Sequence, residues 1–313
     1  MRFLIKKSDA EKNQIKLSVK DKKLIQLLVQ DGRMSVSELA KKIQISKPAV
    51  TQKINSLKEK KVLLDPVLYT NLNLEPLYFL QISTGIGYDT EKNDKELLNI
   101  KGILAILWYN SPYNLLLGIS HDDVQEVIEN IERVIEIKKI RILKVSNSWF
   151  HPPHIFSEIP NVKTGFRISN PEVDETDRRI LKQLEENPRA TILNISERIK
   201  SAPINIKRRI EKMQKSGAII HISNYVNMWL CGKDLVSVHF QVKGRKNLNA
   251  IVSKLLSFPQ TGNVWELEHE WNLNVVFWVS NHLEVSRILD SISKECKGIL
   301  DSDIMVLTSM VGK

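Results

Sequence analysis

The sequence predicts an α+β chain in which two three-helix units alternate with two units of strand, helix, strand, strand, helix, strand. Three observations predict it. They are an internal repeat, apolar spacings that switch between helical and strand periods, and a proline-rich break between the halves.

The repeat comes first. Asp21-Lys22-Lys23-Leu24-Ile25 recurs 156 residues later as Asp177-Arg178-Arg179-Ile180-Leu181. The same offset pairs Leu28 with Leu184, Arg33 with Arg189, Ile43 with Ile199, Lys53 with Arg209 and Ile54 with Ile210. No gap is needed from Asp21 to Leu64.

Each copy spells three helices. In the first, Ser18 is placed to cap a helix carrying Leu24, Ile25, Leu27 and Leu28, which Asp31-Gly32 ends. Ser35 caps a short helix with Val36, Leu39, Ala40 and Ile43 on its apolar face, and a break follows at Gln44-Ile45. Ser46 caps the third helix, with Pro48 in its first turn, where a missing N–H costs no bond. Val50, Ile54 and Leu57 recur at helical spacing and face inward. The second copy repeats this with Ile180, Leu181 and Leu184, then Ile192, Ile195 and Ile199, then Ile206, Ile210 and Met213, with Pro203 opening its third helix.

Strand signals follow each triple, at Val62-Leu63-Leu64 and Ala218-Ile219-Ile220. Segments 78–146 and 234–311 then each read as strand, helix, strand, strand, helix, strand. In the second the elements fall at Leu235–Val242, Leu248–Leu256, Asn263–Leu267, Leu273–Val279, Leu283–Ser293 and Ile304–Thr308, the order of the ferredoxin-like split βαβ. Phe150 to Asn170 carries three prolines and little periodicity, and reads as a linker. The expected division is therefore two winged-helix-like helix-turn-helix domains at 17–64 and 171–221, two ferredoxin-like domains at 65–149 and 222–313, and a linker at 150–170. A chain of 313 residues is ample for such units, each with a core of its own.

Charge points to the partner. The formal charge is +10, which favours a polyanion but does not by itself separate nucleic acid from an anionic membrane. Its distribution decides. Ser35 to Lys61 holds seven lysines against Glu38 and Glu59, and Arg189 to Lys215 holds eight basic residues against Glu197 and Glu211. The rest of the chain is close to neutral. On the first copy's third helix the outward positions are Lys47, Thr51, Gln52, Lys53, Asn55 and Lys58. The second copy offers Asn205, Lys207, Arg208, Arg209 and Lys212, with Glu211 among them. Lysines meet phosphates, whereas Gln, Asn and Arg reach base edges bidentately. A lone basic helix face is usually only a solvated one. Its occurrence twice, on the third helix of a helix-turn-helix, favours double-stranded DNA. The second unit has Ser201 in place of Ile45 and Ala202 in place of Ser46, so it is expected to read a different sequence or mainly to clamp phosphates.

These residues resemble the Lrp/AsnC family of regulators. The match runs through Asp21, Leu24-Ile25, Asp31-Gly32-Arg33, Glu38-Leu39-Ala40, Ile45-Ser46, Val50, Lys53-Ile54 and Leu57, and again through Val173-Asp174, Asp177 to Leu181, Arg189 and Arg208-Arg209-Ile210. The resemblance implies a transcription regulator in which two protomers, each a helix-turn-helix plus a ferredoxin-like sensing domain, are fused in tandem as an internal pseudo-dimer. It also implies sheet-mediated pairing, with homo-oligomers through the ferredoxin-like domains, and an amino-acid effector. The residues leave the effector unsupported. Ser111-Pro112-Tyr113-Asn114-Leu115 and Glu270-Trp271-Asn272-Leu273 lack the glycine usual in the sensing turn, and asparagine stands where aspartate is common.

A second class shares the fold. The aromatic-Asn-Leu runs at Tyr113 and Trp271 loosely resemble sirohaem decarboxylases, and His269 and Glu270 are candidates for an acid or base in such a pocket. A strand-end histidine is the commoner meaning, so no catalytic residue is assigned and the chain is read as a non-enzyme. No cofactor or metal site is expected. His151 and His154 lack further ligands nearby, Cys231 and Cys296 lie far apart, and no phosphate-cradling glycine loop is present. Trp149, Trp229, Trp265 and Trp278 are expected to fill cores or sheet interfaces rather than to stack on bases. No apolar run approaches the roughly 20 residues of a membrane span, and the apolar stretch after Met1 is too short for a signal peptide, so a cytoplasmic location is expected.

Overall fold

The computed structural model describes residues 3–8, 15–70, 77–85, 90–150, 156, 166–167 and 171–312. After strand β1 (Phe3–Lys6) come three helices, α1 (Val19–Gln30), α2 (Val36–Ile43) and α3 (Lys47–Glu59). Ser18 and Asp21 cap α1 reciprocally, as Ser35 and Glu38 cap α2, so orphan N–H groups at both starts are satisfied. Gln44 adopts a left-handed φ of 61°, which turns the chain sharply before Ser46 caps α3. There follow β2 (Leu63–Thr70), β3 (Leu77–Thr84), α4 (Thr90–Asn99), β4 (Ile103–Asn110), β5 (Leu115–Ser120), α5 (Val124–Glu132), β6 (Ile137–Phe150) and the short β7 (Phe166–Arg167).

The second half repeats this order with α6 (Glu175–Glu186), α7 (Ile192–Ile199), α8 (Pro203–Ser216) and β8 (Ile219–Val226). A single helical turn at Trp229–Cys231 leads into β9 (Asp234–Val242), α9 (Arg245–Leu255), β10 (Thr261–Glu268), β11 (Leu273–Val279), α10 (His282–Glu295) and β12 (Ile299–Gly312). Here Asp174 and Asp177 form the capping box of α6, and Thr191 caps α7. Ala202 gives α8 no side-chain cap. Most of the expected linker, His151 and His154 included, lies outside the described residues.

Two compact units result, and each draws on both halves of the chain. One combines 15–72 with 152–231 and holds both helix-turn-helix triples. Strands β2 and β8, expected to end at Leu64 and Ile220, run on to Thr70 and Val226 because they pair antiparallel with each other, Leu68 opposite Ile222. The strand after each third helix thus pairs with its counterpart in the other copy instead of being spent on a local wing. Leu68 enters the core of the second triple, among Ile180, Leu184, Ile195, Ile206 and Met213. Gly32 donates its N–H to the Ile222 carbonyl at 2.7 Å. A Cβ there would lie 3.1 Å from that oxygen, tighter than ordinary van der Waals contact, so a side chain at this position would have to push the β8 backbone aside. Arginines complete the joint reciprocally. Arg33 Nη2 donates to the Ala190 carbonyl at 2.8 Å, and Arg189 Nε donates to the Gly32 carbonyl at 2.8 Å.

The other unit combines 73–151 and 232–313 with the amino-terminal strand. The strand order β4-β5-β3-β6-β10-β11-β9-β12 closes on itself, because β12 also pairs with β4. Strands β6 and β12, 14 residues each, make the closure. Each pairs along its first part with its own copy and along its second with the other. Alternation then sorts the side chains. Val236, Val238, Phe240 and Val242 face helices α9 and α10 in one apolar core, and Leu80, Ile82, Leu115, Leu117 and Ile119 do the same against α4 and α5 in the other.

Candidate nucleic-acid interface

The third helices differ from the other helices of their triples in what they leave uncovered. On α3, Val50, Ile54 and Leu57 are buried. Lys47, Pro48, Thr51, Gln52, Asn55, Ser56 and Glu59 line an open groove along the other face. Four of the six positions expected from the sequence therefore share one surface. Pro48, Ser56 and Glu59 were missed, although the four-residue spacing of Pro48 and Ser56 from Gln52 marks the same face. The Thr51 hydroxyl turns back to the Lys47 carbonyl at 3.2 Å. Lys58 lies off the groove, 3.0 Å from Asp65.

Lys53 departs from the expectation. Its ammonium bonds Asp21 at 2.7 Å and ties α3 to the start of α1. Burial would raise the Asp21 carboxyl, but hydrogen bonds from Lys53 and Ser18 outweigh it and hold the group below the usual carboxylate range. Arg209 departs in the same way. Its Nη1 lies 2.7 Å from Asp174 and 2.8 Å from Asp177, whose side chain is only 2% exposed. Both residues were read as outward cations. Equivalent aspartates at the first helix of each copy draw them inward, because a carboxylate so placed needs a compensating charge.

What remains on α8 is Ile204, Asn205, Lys207, Arg208, Glu211 and Lys212, all exposed. Lys207 and Glu211 lie 3.9 Å apart, one helical turn from each other. Ile204, 70% exposed, escaped the sequence reading because an apolar residue there counts towards the core pattern.

The two aromatic-Asn-Leu runs of the sheet unit have a different character. Asn114 accepts from the Thr84 N–H at 2.9 Å, and Asn272 clamps both backbone groups of Val242, at 2.9 and 2.8 Å. The two asparagines thus pin equivalent strand ends. The rings of Tyr113 and Trp271 lie 4.1 and 5.5 Å from the Arg141 guanidinium carbon, so the two aromatic-Asn-Leu runs converge on one arginine. His269 Nδ1 accepts from the Trp271 N–H at 3.2 Å. Between the copies, Gln81 Nε2 lies 3.2 Å from His239 Nε2, and both residues are buried. Burial first, then the charges of Arg141 and His269, push His239 down to about 3. No helix among the described residues is long and apolar enough to cross a membrane.

Comparisons with known proteins match both helix-turn-helix segments. Residues 17–58 match the AsnC-type helix-turn-helix domain, and residues 173–220 match the winged helix-turn-helix DNA-binding family. An uncharacterised HTH-type transcriptional regulator of Pyrococcus horikoshii is 31% identical over 125 residues, which cover 38% of this chain and 78% of that protein. The HTH-type transcriptional regulator FL11 of Pyrococcus abyssi is 29% identical over 121 residues, covering 38% and 80%. Among solved structures, the siroheme decarboxylase NirDL is similar with a TM-score of 0.59 at 14% identity, covering 94% of this chain and 92% of that one. At that identity the likeness is one of fold alone.

Two helix-turn-helix triples with exposed basic third helices mark a DNA-binding transcriptional regulator. The chain belongs to the Lrp/AsnC family of such regulators.

Proposed function

We propose that one chain works as an internal pseudo-dimer, presenting its two recognition helices, α3 and α8, to two half-sites on one face of a duplex. The carrying observation is the joint between the triples, where β2 pairs with β8 and Arg33 and Arg189 each hold the other copy's turn. In a homodimer, symmetry supplies such a joint from two chains. Here a covalent tandem of helix-turn-helix and ferredoxin-like units supplies it. Half-sites about one helical turn apart, or a multiple of that, follow. Lys47, Thr51, Gln52 and Asn55 act from the first copy, with Lys58 at the rim, and Asn205, Lys207, Arg208 and Lys212 act from the second.

Gel shifts across a salt series, with stoichiometry read by mass photometry, test this reading. The expected result is one chain per two-half-site duplex. Lys47→Ala and Lys212→Ala should each lower the salt slope by about one. A minimal operator that needs two chains, each using a single triple, would refute it.

A second reading, decarboxylation of a sirohaem-type tetrapyrrole, is favoured by the convergence of Tyr113 and Trp271 on Arg141. Incubation with sirohaem decides it. A spectral shift with carbon dioxide release supports the enzyme, and an unchanged spectrum removes it.

A further inference from the structure

The two recognition helices are equivalent by the repeat, so their side chains can be compared position by position. Gln52 of α3 corresponds to Arg208 of α8, and Asn55 corresponds to Glu211. All four are exposed. Gln52 and Asn55 lie on the open groove of α3. Among the described residues, no hydrogen bond or ion pair engages Gln52, Asn55 or Arg208. Each is free to meet a ligand, unlike Lys53 and Arg209, which aspartates of their own triple hold.

The substitutions are not neutral ones for a groove-reading helix. A carboxamide pairs bidentately with adenine through its N6 and N7. A guanidinium pairs with guanine through O6 and N7, and a carboxylate accepts from the cytosine N4 amine. At two equivalent positions, the first copy therefore carries two adenine-type readers, and the second a guanine-type and a cytosine-type reader. Glu211 on a helix that faces phosphates is otherwise repelled. Lys207, one turn away at 3.9 Å, offsets that repulsion and leaves the carboxylate on the surface.

We infer that the copies read opposite base-pair classes, A·T pairs by α3 and G·C pairs by α8, so that the operator is chemically polar and fixes the direction in which the single chain lies on it. This inference rests on the proposed two-half-site docking and names the specificity of that same surface.

The test is selection of duplexes from a randomised library by the full chain, followed by affinity measurements at fixed salt. The expected consensus is bipartite, with A·T pairs in one half and G·C pairs in the other. Exchanging a contacted pair for the other class should weaken binding by about tenfold. The double variant Gln52→Arg with Asn55→Glu should move only the A·T half to G·C. The reciprocal Arg208→Gln with Glu211→Asn should move only the G·C half to A·T. A consensus with the same bases in both halves, or one unchanged in both double variants, would overturn the inference while leaving the docking intact. Binding that uses only one triple would overturn the docking itself.

Discussion

The joint between the helix-turn-helix triples makes the sharpest physical demand on this chain. Arg33 is half-buried and spends one N–H on the Ala190 carbonyl of the other copy, at 2.8 Å. Arg33→Lys keeps the charge, and with it the long-range attraction to DNA, but loses the planar fork that reaches this carbonyl. A charged donor in a half-buried bond contributes about 1.5 kcal/mol, so the joint should open about tenfold more often. Two amides report that opening directly. Gly32 donates to Ile222, and Asn227 donates to the Val62 carbonyl at 2.9 Å. Hydrogen exchange at both should speed up about tenfold in Arg33→Lys, and by less in the more exposed Arg189→Lys. DNA affinity should barely move, because the closed joint stays in the majority. If both amides keep their original exchange rates in Arg33→Lys, the arginine does not hold the joint and the reasoning fails.

Gly32→Ala places a methyl group against the β8 backbone and should lower the melting temperature of the helix-turn-helix unit, and an unchanged melting curve would show that the close approach is dispensable. Lys53→Ala should cost stability, about 0.5–1 kcal/mol for a partly exposed pair, and leave the salt slope of DNA binding nearly unaltered, whereas Lys47→Ala should do the reverse. His239 binds fewer protons folded than unfolded between about 3 and its ordinary 6.5, so its contribution is present above pH 6.5 and lost as pH falls. His239→Gln should flatten that loss in denaturant titrations between pH 7 and 4.5, and an equal decline in the variant would exclude the histidine as its source.

The helices were legible because their signals are local. Ser18, Ser35 and Ser46 announce three starts within a few residues of the apolar positions they serve, and the structure uses each hydroxyl as read. The pairing of β2 with β8 was not legible. Leu68 and Ile222 are each ordinary strand residues, and nothing in either sequence names the other as its neighbour. The same limit explains Lys53 and Arg209. Helical spacing places them between the buried and exposed faces, and only the position of Asp21 and Asp177 on another helix decides which way their charges turn. Asn114 and Asn272 looked like departures from a sensing turn, yet their amides serve the backbone of strands 30 residues away in sequence. The division of the chain into four successive domains is likewise a one-dimensional reading. In space, like segments of the two halves join into one unit of helix triples and one of sheets.

The closed strand circuit has a consequence for synthesis. While the first half alone exists, β4 and the second part of β6 present bare backbone edges, since their partners β12 and β10 belong to the other half. Unpaired edges of this kind are templates for pairing with another chain. The nascent protein is therefore most exposed to misassembly during the interval in which β9 to β12 are being made, and β12 is the strand that ends it by covering β4 and β9 together.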